Sequence, residues 1–292
     1  MDRGDCGREA SYAPDALGRI EQRTETVLGE THVYGYDYDL AGRLTDVTRD
    51  GVLVAHYDYD ANGNRLARTS GAATESGTYD DQDRLLTYGT RTYVTSPAGD
   101  RTSVTDTATS ATTTFTYDPG GNLRHVDLPD GMDIDYLVDG EGHRVWKQRN
   151  GVNVQGFLYR SALQPVAELD GAGAVVARFV YAQRRNVPDL VIKGGATYRI
   201  LTDHLGSPRL VVDAASGQVA QRLDYDEWGN VTLDTNPGFQ PFGFAGGLYD
   251  RDTRLVRFGG LERACGAAPR SVVPPAKSST LRHRSTAEKS RR

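Results

Sequence analysis

The sequence predicts an all-β protein, and two observations carry that prediction. Apolar side chains alternate with aspartates in residues 132–136, and residues 53–59 form a second run with one apolar face. Such a period of two is typical of antiparallel strands with one buried and one solvated face. The chain also has 33 glycines and 16 tyrosines, a composition that suits many tight turns between half-buried strands.

A short repeated unit organises these strands. Residues 36–66 contain it twice: a Tyr-x-Tyr-Asp strand end, two variable positions, a glycine, an arginine or asparagine, and a leucine. The Asp-x-x-Gly spacing predicts a type I turn followed by a left-handed residue, because aspartate accepts bonds from amides ahead of it and glycine tolerates positive φ. Asp50-Gly51, between the two copies, predicts a further hairpin turn. The pattern therefore predicts a β-meander.

The repeat continues along most of the chain. Asp-x-x-Gly occurs at residues 15–18, 39–42, 60–63, 118–121, 139–142, 170–173, 203–206 and 226–229. Degenerate copies occupy residues 79–85 and 93–101, and a last copy begins at Tyr249. Self-similarity at such spacing is the signature of a repeat architecture.

Three regions follow from this pattern. Residues 1–11 form a short disordered start, residues 12–259 form the repeat sheet, and residues 260–292 form a disordered basic tail that resembles out-of-frame translation. Within the sheet, residues 182–195 interrupt the rhythm and predict a longer loop. Residues 236–247, rich in glycine, proline and phenylalanine, predict an irregular packed segment.

Composition excludes several classes of function. The formal net charge is −5, and residues 262–292 alone carry +6, so the body is acidic and general nucleic-acid binding is not expected. Cys6 and Cys265 make neither a disulfide framework nor a metal site. The N-terminus lacks the apolar region of a secretory signal peptide. No apolar run approaches the ~20 residues of a membrane span, and the cellular location stays open.

The repeated Tyr-Asp-x-x-Gly-Arg-Leu resembles the YD repeat of the RHS family, the rearrangement hotspot proteins and their wall-associated relatives. The most specific stretches are residues 203–209 (DHLGSPR), 224–230 (DYDEWGN) and 242–250, which resemble the C-terminal part of an RHS core. The resemblance implies a β-sheet spiralling into a hollow shell. It also implies an encapsulating role around a C-terminal toxin used in interbacterial competition, with export to the cell surface or the medium.

The resemblance assigns structural roles to the repeat residues and no catalytic, metal or cofactor role to any residue. The repeat residues are Tyr38, Asp39, Gly42, Tyr59, Asp60, Gly63, Tyr117, Asp118, Gly121, Asp203, His204, Gly206, Pro208, Arg209, Tyr225, Asp226 and Gly229. After residues 255–259 the family continues with another repeat and an Asp-dependent self-cleavage boundary, and neither is present here. We therefore expect a toxin-less shell fragment without enzymatic activity, whose partners are a toxin and the remaining shell segments.

Other interpretations concern single sites. Asp58, Asp60 and Asn62 match the first half of a calcium loop, but Thr69 stands where a bidentate glutamate is needed, so a plain turn is favoured. His204 has no nucleophile pattern beside it and is interpreted as structural. The tyrosine rows suggest a carbohydrate-binding or adhesion module as the alternative function. The basic tail is interpreted as solvated, and exposed sheet edges predict self-association.

Overall fold

The computed structural model describes residues 7–259 and, for the backbone alone, residues 261–264. Twenty-five strands and one short 3-10 helix, Phe244–Gly246, make up the structure. The strands are β1 (Arg8–Pro14), β2 (Ile20–Val27), β3 (Glu30–Tyr38), β4 (Leu44–Arg49), β5 (Val52–Tyr59), β6 (Arg65–Ser70), β7 (Ala73–Tyr79), β8 (Leu85–Tyr88), β9 (Arg91–Thr95), β10 (Arg101–Asp106), β11 (Ala111–Tyr117), β12 (Leu123–Asp127), β13 (Asp133–Val138), β14 (Arg144–Arg149), β15 (Val152–Ser161), β16 (Gln164–Asp170), β17 (Val175–Val180), β18 (Leu190–Lys193), β19 (Ala196–Thr202), β20 (Pro208–Asp213), β21 (Val219–Tyr225), β22 (Val231–Asp234), β23 (Leu248–Asp250), β24 (Leu255–Phe258) and β25 (Leu261–Ala264).

Strands β1 to β22 form one sheet of 22 strands. Each strand pairs antiparallel with the next along the chain, from β1 with β2 through to β21 with β22. Strands β23, β24 and β25 form a separate small sheet. The predicted all-β YD-repeat meander is confirmed.

The register slips by one residue where a strand runs into a repeat turn. The slips fall between Asp37 and Tyr38, between Asp58 and Tyr59, and between Asp224 and Tyr225. The extra residue lies on the outgoing strand, three positions after the left-handed glycine, and forms a β-bulge beside the hairpin loop. Each bulge increases the local twist of the sheet, which favours a curved sheet over a flat one.

The core lies on the concave side of this sheet, in three clusters. Each cluster combines inward side chains of consecutive strands with a residue from the C-terminal part of the chain. Phe179 packs with Phe242, Ile134 with Leu255, and Tyr57 with Trp228. The opposite face is polar, and on it threonine hydroxyls pair across neighbouring strands, at Thr26–Thr31, Thr69–Thr74, Thr78–Thr87 and Thr105–Thr112.

The structure refines the predicted boundaries. Paired strands begin at Arg8 and end at Ala264, a few residues beyond the predicted limits of 12 and 259. The loop predicted over residues 182–195 is interrupted by β18, whose Val191 is fully buried. Of the predicted basic tail, residues 260–292, the structure describes only the backbone of residues 261–264, and the rest lies outside the described residues. Within the described part of the chain, no helix has the length and apolar character needed to cross a membrane.

Candidate functional site

One aspartate carboxylate holds each repeat turn. At the turn that begins with Asp39, the Gly42 amide donates to the Asp39 carbonyl over 2.9 Å, and the Arg43 amide donates to Asp39 Oδ1 over 2.9 Å. Gly42 has φ 82°, a left-handed conformation that explains why glycine occupies this position. All eight predicted turns, at Asp15, Asp39, Asp60, Asp118, Asp139, Asp170, Asp203 and Asp226, make these same two bonds.

The degenerate copies also form turns, with substitutes in the key positions. Asp83 stands where the glycine would be and adopts φ 59°, which aspartate tolerates better than most residues. Ser96 replaces the aspartate of the next copy, and its hydroxyl accepts the Asp100 amide at 3.2 Å. The turn geometry therefore survives the loss of either defining residue.

Successive turns are joined by a tyrosine and an arginine. Arg43 donates to Asp39 Oδ2 at 2.6 Å, and its guanidinium lies 5.0 Å from the ring centre of Tyr59 in the next repeat. The Tyr59 hydroxyl donates to the Leu44 carbonyl at 2.8 Å, and burial raises the pKa of this hydroxyl to about 12. Tyr38, Tyr79 and Tyr159 donate to Ile20, Arg65 and Arg144 in the same way. Each tyrosine thus binds its repeat to the one before.

We expect these turns to make the sheet sensitive to acid. Burial raises the pKa of Asp39, but hydrogen bonds from Arg43 outweigh this effect, so the pKa lies below 3.8. The Arg84 amide lowers the pKa of Asp80 in the same way, and the Asn122 amide lowers that of Asp118. A carboxyl with a lowered folded-state pKa contributes stability above its ordinary value and loses it as the pH falls through the folded value. The urea midpoint should therefore decline once the pH drops below about 4.

The Asp39→Asn variant provides the control for this expectation. The asparagine amide oxygen can still accept the Arg43 amide, and the Gly42 bond to the main-chain carbonyl is untouched, but the side chain carries no titrating charge. The acid-induced decline should therefore be shallower than in the parent chain. Equal slopes in the two proteins would show that the Asp39 carboxylate does not contribute to the acid sensitivity.

The Asp203 turn differs from the others at its fifth position. Ser207 stands where most turns have arginine or asparagine; it is fully buried, and its hydroxyl accepts the Ala245 amide at 3.0 Å. His204 points the other way and contacts Tyr12 on β1, with ring centres 4.8 Å apart. Burial lowers the His204 pKa. This turn therefore contacts both the first strand and the C-terminal part of the chain.

A buried ion cluster joins β20 to β2 beside this turn. Arg209, which follows the buried Pro208, lies 3.0 Å from both carboxylate oxygens of Glu25 and 2.6 Å from Asp224. Arg8 lies 2.7 Å from the same Glu25 carboxylate. Burial raises the pKa of Glu25, but the arginines outweigh it and hold that pKa below the usual value. We call these contacts between β1–β6 and β20–β21 with their turns the seam.

The Asp226 turn completes the seam. The Tyr57 hydroxyl of β5 donates to the Glu227 carboxylate, and Trp228 packs edge-on against the Tyr57 ring with centres 5.3 Å apart. The guanidinium of Arg65 lies 4.5 Å from the Trp228 ring. Because strands so far apart in the sheet touch here, the sheet curls back on itself instead of running flat.

Gly229 should be the glycine of this seam that is hardest to replace. It has φ +85, and an added Cβ would lie 2.5 Å from Phe244 Cγ; Gly42 has φ +82, but its Cβ would meet nothing nearer than an Arg19 nitrogen at 3.7 Å. Gly42→Ala should therefore cost about 1–2 kcal/mol of unfolding free energy. Gly229→Ala should cost about 1–3 kcal/mol more. Equal losses in urea titrations of the two variants would contradict the packing of Phe244 against this turn.

The C-terminal segment, residues 236–258, packs against the concave face. Phe242 is 2% exposed, and its ring meets Phe179 of β17 edge-on with centres 4.9 Å apart. Phe239 makes the same contact with Tyr198 of β19 at 4.9 Å, and Lys193 donates to the Phe239 carbonyl at 2.6 Å. The irregular segment predicted from the sequence is thus part of the core.

A second buried cluster fixes the end of this segment to β13 and β14. Lys147 Nζ lies 2.5 Å from carboxylate oxygens of both Asp250 and Asp252, and the Tyr136 hydroxyl donates to Asp250 at 2.7 Å. The Arg144 guanidinium lies 3.5 Å from the Tyr136 ring centre. Burial raises the Asp250 pKa, but Lys147 and Arg144 outweigh it and keep that pKa below 3.8. We call these five residues the inner ion cluster.

The predicted repeat residues occupy consistent places. Asp39, Asp60, Asp118, Asp203 and Asp226 hold turns, and Gly42, Gly63, Gly121, Gly206 and Gly229 supply positive φ. Tyr38 and Tyr59 bond to the preceding repeat, while Tyr117 and Tyr225 are half-buried beside the core. His204, Pro208 and Arg209 lie at the seam. The structure therefore brings the last group together and distributes the others around the sheet.

Two groups of side chains contain the kinds of atoms that bind metal ions. The Asp60 carboxylate accepts the Asn62 and Asn64 amides, and the Asn62 side-chain amide donates to Asp83, so these groups are engaged in a turn. On the polar face, ligand atoms of His125, Asp127 and Asp133 lie within 4.8 Å of one another. His125 bonds Asp127 and Asp135 directly, and those bonds raise its pKa.

Comparison with known proteins agrees with this geometry. Residues 9–265 match the family model described as the teneurin YD-shell. The chain belongs to this family. The predicted membership in the YD-repeat, RHS-type group is thereby confirmed, and the curled sheet described above is its YD-shell.

Relatives of this YD-shell come from animals and bacteria. Teneurin-3 of Danio rerio is 29% identical over 255 residues, which are 84% of this chain and 9% of that protein. Double-stranded DNA deaminase toxin A of Burkholderia cenocepacia (strain H111) is 29% identical over 272 residues, which are 84% of this chain and 17% of that protein. A solved structure, the crystal structure of TcdB2-TccC3-TEV, aligns with 89% of this chain and 19% of that one, at 15% identity and a TM-score of 0.38. The chain thus spans only a small part of its relatives.

The sequence did not indicate the residues that anchor the C-terminal segment. Ser207, Asp250 and Lys147 are buried polar side chains whose partners lie far away in sequence. One signal was available for Ser207, because a serine stands where most other turns have a longer side chain. For Lys147 there was none, since an alternating strand pattern places a lysine on the solvated face by default.

Proposed function

We propose that this chain is a wall segment of a YD-shell that encloses a polypeptide, as in an RHS-type toxin carrier, and that it performs no catalysis. The position of the C-terminal segment carries this proposal. Residues 236–258 lie on the concave face, held by Ser207 and by the inner ion cluster. A chain that leaves the sheet from this face continues on the enclosed side.

The electrostatics support a structural role. Glu25 and Asp250, the most buried carboxylates of the two clusters, are neutralised by arginines and a lysine, which lower their pKa values instead of raising them toward neutrality. A general acid or base needs a pKa close to the working pH. The family resemblance links this architecture to toxin enclosure, and a relative of this chain bears the name of a deaminase toxin.

Protease protection of a fused passenger tests the proposal. A small domain joined by a protease-sensitive linker would replace residues 265–292, and a matched fusion would carry the same linker and domain before Gly7. If the wall encloses the continuing chain, the C-terminal linker should be cut more slowly than the N-terminal one. Equal cleavage rates would overturn the proposal.

The free edges of the sheet lead to a related expectation. Among the described strands, β1 pairs only with β2, and β22 pairs only with β21. Unpaired edges present backbone groups to other chains, so the isolated wall should bind a second copy or a further shell segment. Sedimentation at increasing concentration should show association, whereas a single monomeric species throughout would contradict it.

Carbohydrate binding is the second candidate, and one cavity favours it. A cavity of about 200 Å³ at the seam combines aromatic rings with carboxylates, which is the chemistry that sugars require. Its lining includes Tyr12, Tyr36, Tyr38, Tyr225, Asp203, Asp226 and Glu227. Arg19 already covers the Tyr38 ring, however, at 4.5 Å from its centre. A glycan array on which the chain and its Tyr12→Ala variant give the same empty result would dismiss this candidate.

A further inference from the structure

A large cavity separates the C-terminal segment from β9, β10 and β11. Its volume is about 830 Å³, and Tyr93, Val104, Phe115 and Leu255 contribute apolar surface to it. The cavity lies on the concave side, where an enclosed polypeptide would be. We call this cavity the basic chamber.

Three arginines of the chamber have no carboxylate partner. Arg91, Arg101 and Arg254 line it, and within residues 7–259 none of them lies in an ion pair with an aspartate or glutamate. The contact of Arg101 is with a ring face, Tyr93, whose centre lies 4.9 Å from the guanidinium carbon. Arg91 and Arg254 are exposed, whereas Arg101 is partly buried. Because buried charges are ordinarily paired, the unpaired guanidinium of Arg101 is the one that points to a negatively charged occupant.

Three aspartates line the same chamber, and two of them, Asp234 and Asp252, are engaged by other side chains. The third, Asp106, lies opposite Arg91 in the β9–β10 pairing, and its carboxylate accepts the Ala108 amide at 3.0 Å. Asp252 is bound by Lys147 and Arg149, at 2.5 Å and 2.6 Å. Asp234 accepts bonds from Gln221 at 2.8 Å and from the Asn236 amide at 3.0 Å. Four arginines and three aspartates line the chamber, and Lys147 and Arg149 neutralise Asp252 from outside the lining. The charge that the chamber offers to an occupant is therefore positive, although the body of the chain is acidic.

The pKa of Arg101 agrees with this description. Burial, together with the nearby charge of Arg91, lowers the Arg101 pKa below its usual value. Two guanidinium groups that face one cavity repel each other in a medium of reduced dielectric constant. A carboxylate between them would remove this repulsion and form charge-assisted hydrogen bonds of the strongest kind.

We propose that the basic chamber binds an acidic polypeptide segment of the enclosed passenger, with Arg91, Arg101 and Arg254 pairing its carboxylates. The proposal rests on the enclosing function proposed above and specifies the chemistry of the enclosed partner. The chain's own residues 265–292 do not fit, because they contain seven arginines and lysines against one glutamate. The apolar lining favours a peptide with mixed acidic and apolar side chains over a bare phosphate chain.

Fluorescence anisotropy with labelled peptides tests the chamber on the whole chain. The probe is a peptide of alternating glutamate and leucine, compared with one of alternating lysine and leucine and with a single-stranded oligonucleotide. The glutamate peptide should bind, and the lysine peptide should not. Arg101→Gln should weaken binding about tenfold or more, the usual effect of losing a bond to a charged group.

Two further variants test whether a loss of binding comes from the chamber itself or from a changed fold. Arg178→Gln, on the exposed side of β17, is the matched control and should leave binding unchanged. Arg91→Gln removes a solvent-exposed charge of the chamber and should weaken binding even if Arg101→Gln alters the fold. Equal binding by the parent and both chamber variants would overturn the proposal. So would an oligonucleotide that binds in place of the peptide.

The outcome is separable from that of the enclosing function. If the fused passenger is protected from protease while the glutamate peptide fails to bind, the wall encloses its partner without this recognition, and only the present inference is wrong. If the peptide binds and the passenger is cut freely, the enclosing function is wrong and the chamber is a binding site of another kind.

Discussion

Replacing Asp250 with alanine is expected to cost about 3–5 kcal/mol of unfolding free energy, because it leaves buried charges without their counter-charge. Lys147 and Arg144 are 5% and 4% exposed, and both face the Asp250 carboxylate. Asp250→Asn keeps the shape of the side chain but removes its charge, so it should recover little of the unfolding free energy that Asp250→Ala loses. Urea titrations monitored by tryptophan fluorescence measure the change.

Two further variants decide whether charge burial is the cause. Asp37→Ala removes an exposed carboxylate of β3 and should change the free energy of unfolding by less than about 0.5 kcal/mol. Lys147→Met combined with Asp250→Leu replaces the closer pair by apolar side chains and should restore part of the stability. The remaining loss is that of Arg144, which still lacks the Asp250 carboxylate. If Asp250→Ala cost no more than Asp37→Ala, the inner ion cluster would not anchor the C-terminal segment.

Replacing Arg209 with alanine should cause the second large loss of unfolding free energy. The change removes the main partner of Glu25, a carboxylate that is 3% exposed, and breaks the bond to Asp224. Arg8 continues to neutralise Glu25 in part, so the expected loss is about 3 kcal/mol, at the lower end for a broken buried pair. Because this pair joins β2 to β20, the seam should also open.

Opening of the seam has its own measurement. Hydrogen exchange of β1 and β2 amides should accelerate in Arg209→Ala more than exchange of β13 and β14 amides, which lie away from the seam. Arg178→Ala, at an exposed position, is the matched control and should leave both regions unchanged. A uniform acceleration across the whole sheet would mean that Arg209 supports global stability and not the seam in particular.

The turns could be predicted from the sequence because their physics is local. Asp39, Gly42 and Arg43 lie within five positions, and every bond that shapes the turn joins residues of that short stretch. The alternation of apolar and polar side chains is equally local, so the strands and their antiparallel order follow from it. The tyrosine bonds are one step less local, because the partner of Tyr59 depends on the register between two hairpins.

The seam and the inner ion cluster could not be predicted in this way. Lys147 and Asp250 are separated by 103 positions, and Arg209 and Glu25 by 184. Their meeting depends on the accumulated twist and bulges of many strands, which no short motif encodes. The alternation rule assigns such charges to the solvated face, and only the curling of the sheet makes their side the inside.

Chemical crosslinking across the seam tests the curled wall most directly. Cysteines would replace Tyr12 and His204, whose rings are 4.8 Å apart, in a chain whose Cys6 and Cys265 are serines, and a short bismaleimide would be added at low protein concentration. Peptide mapping should then find an intramolecular link between β1 and the turn before β20, and single-cysteine variants should give none. Absence of that link from folded, fully labelled protein would contradict a sheet that closes back on its first strands.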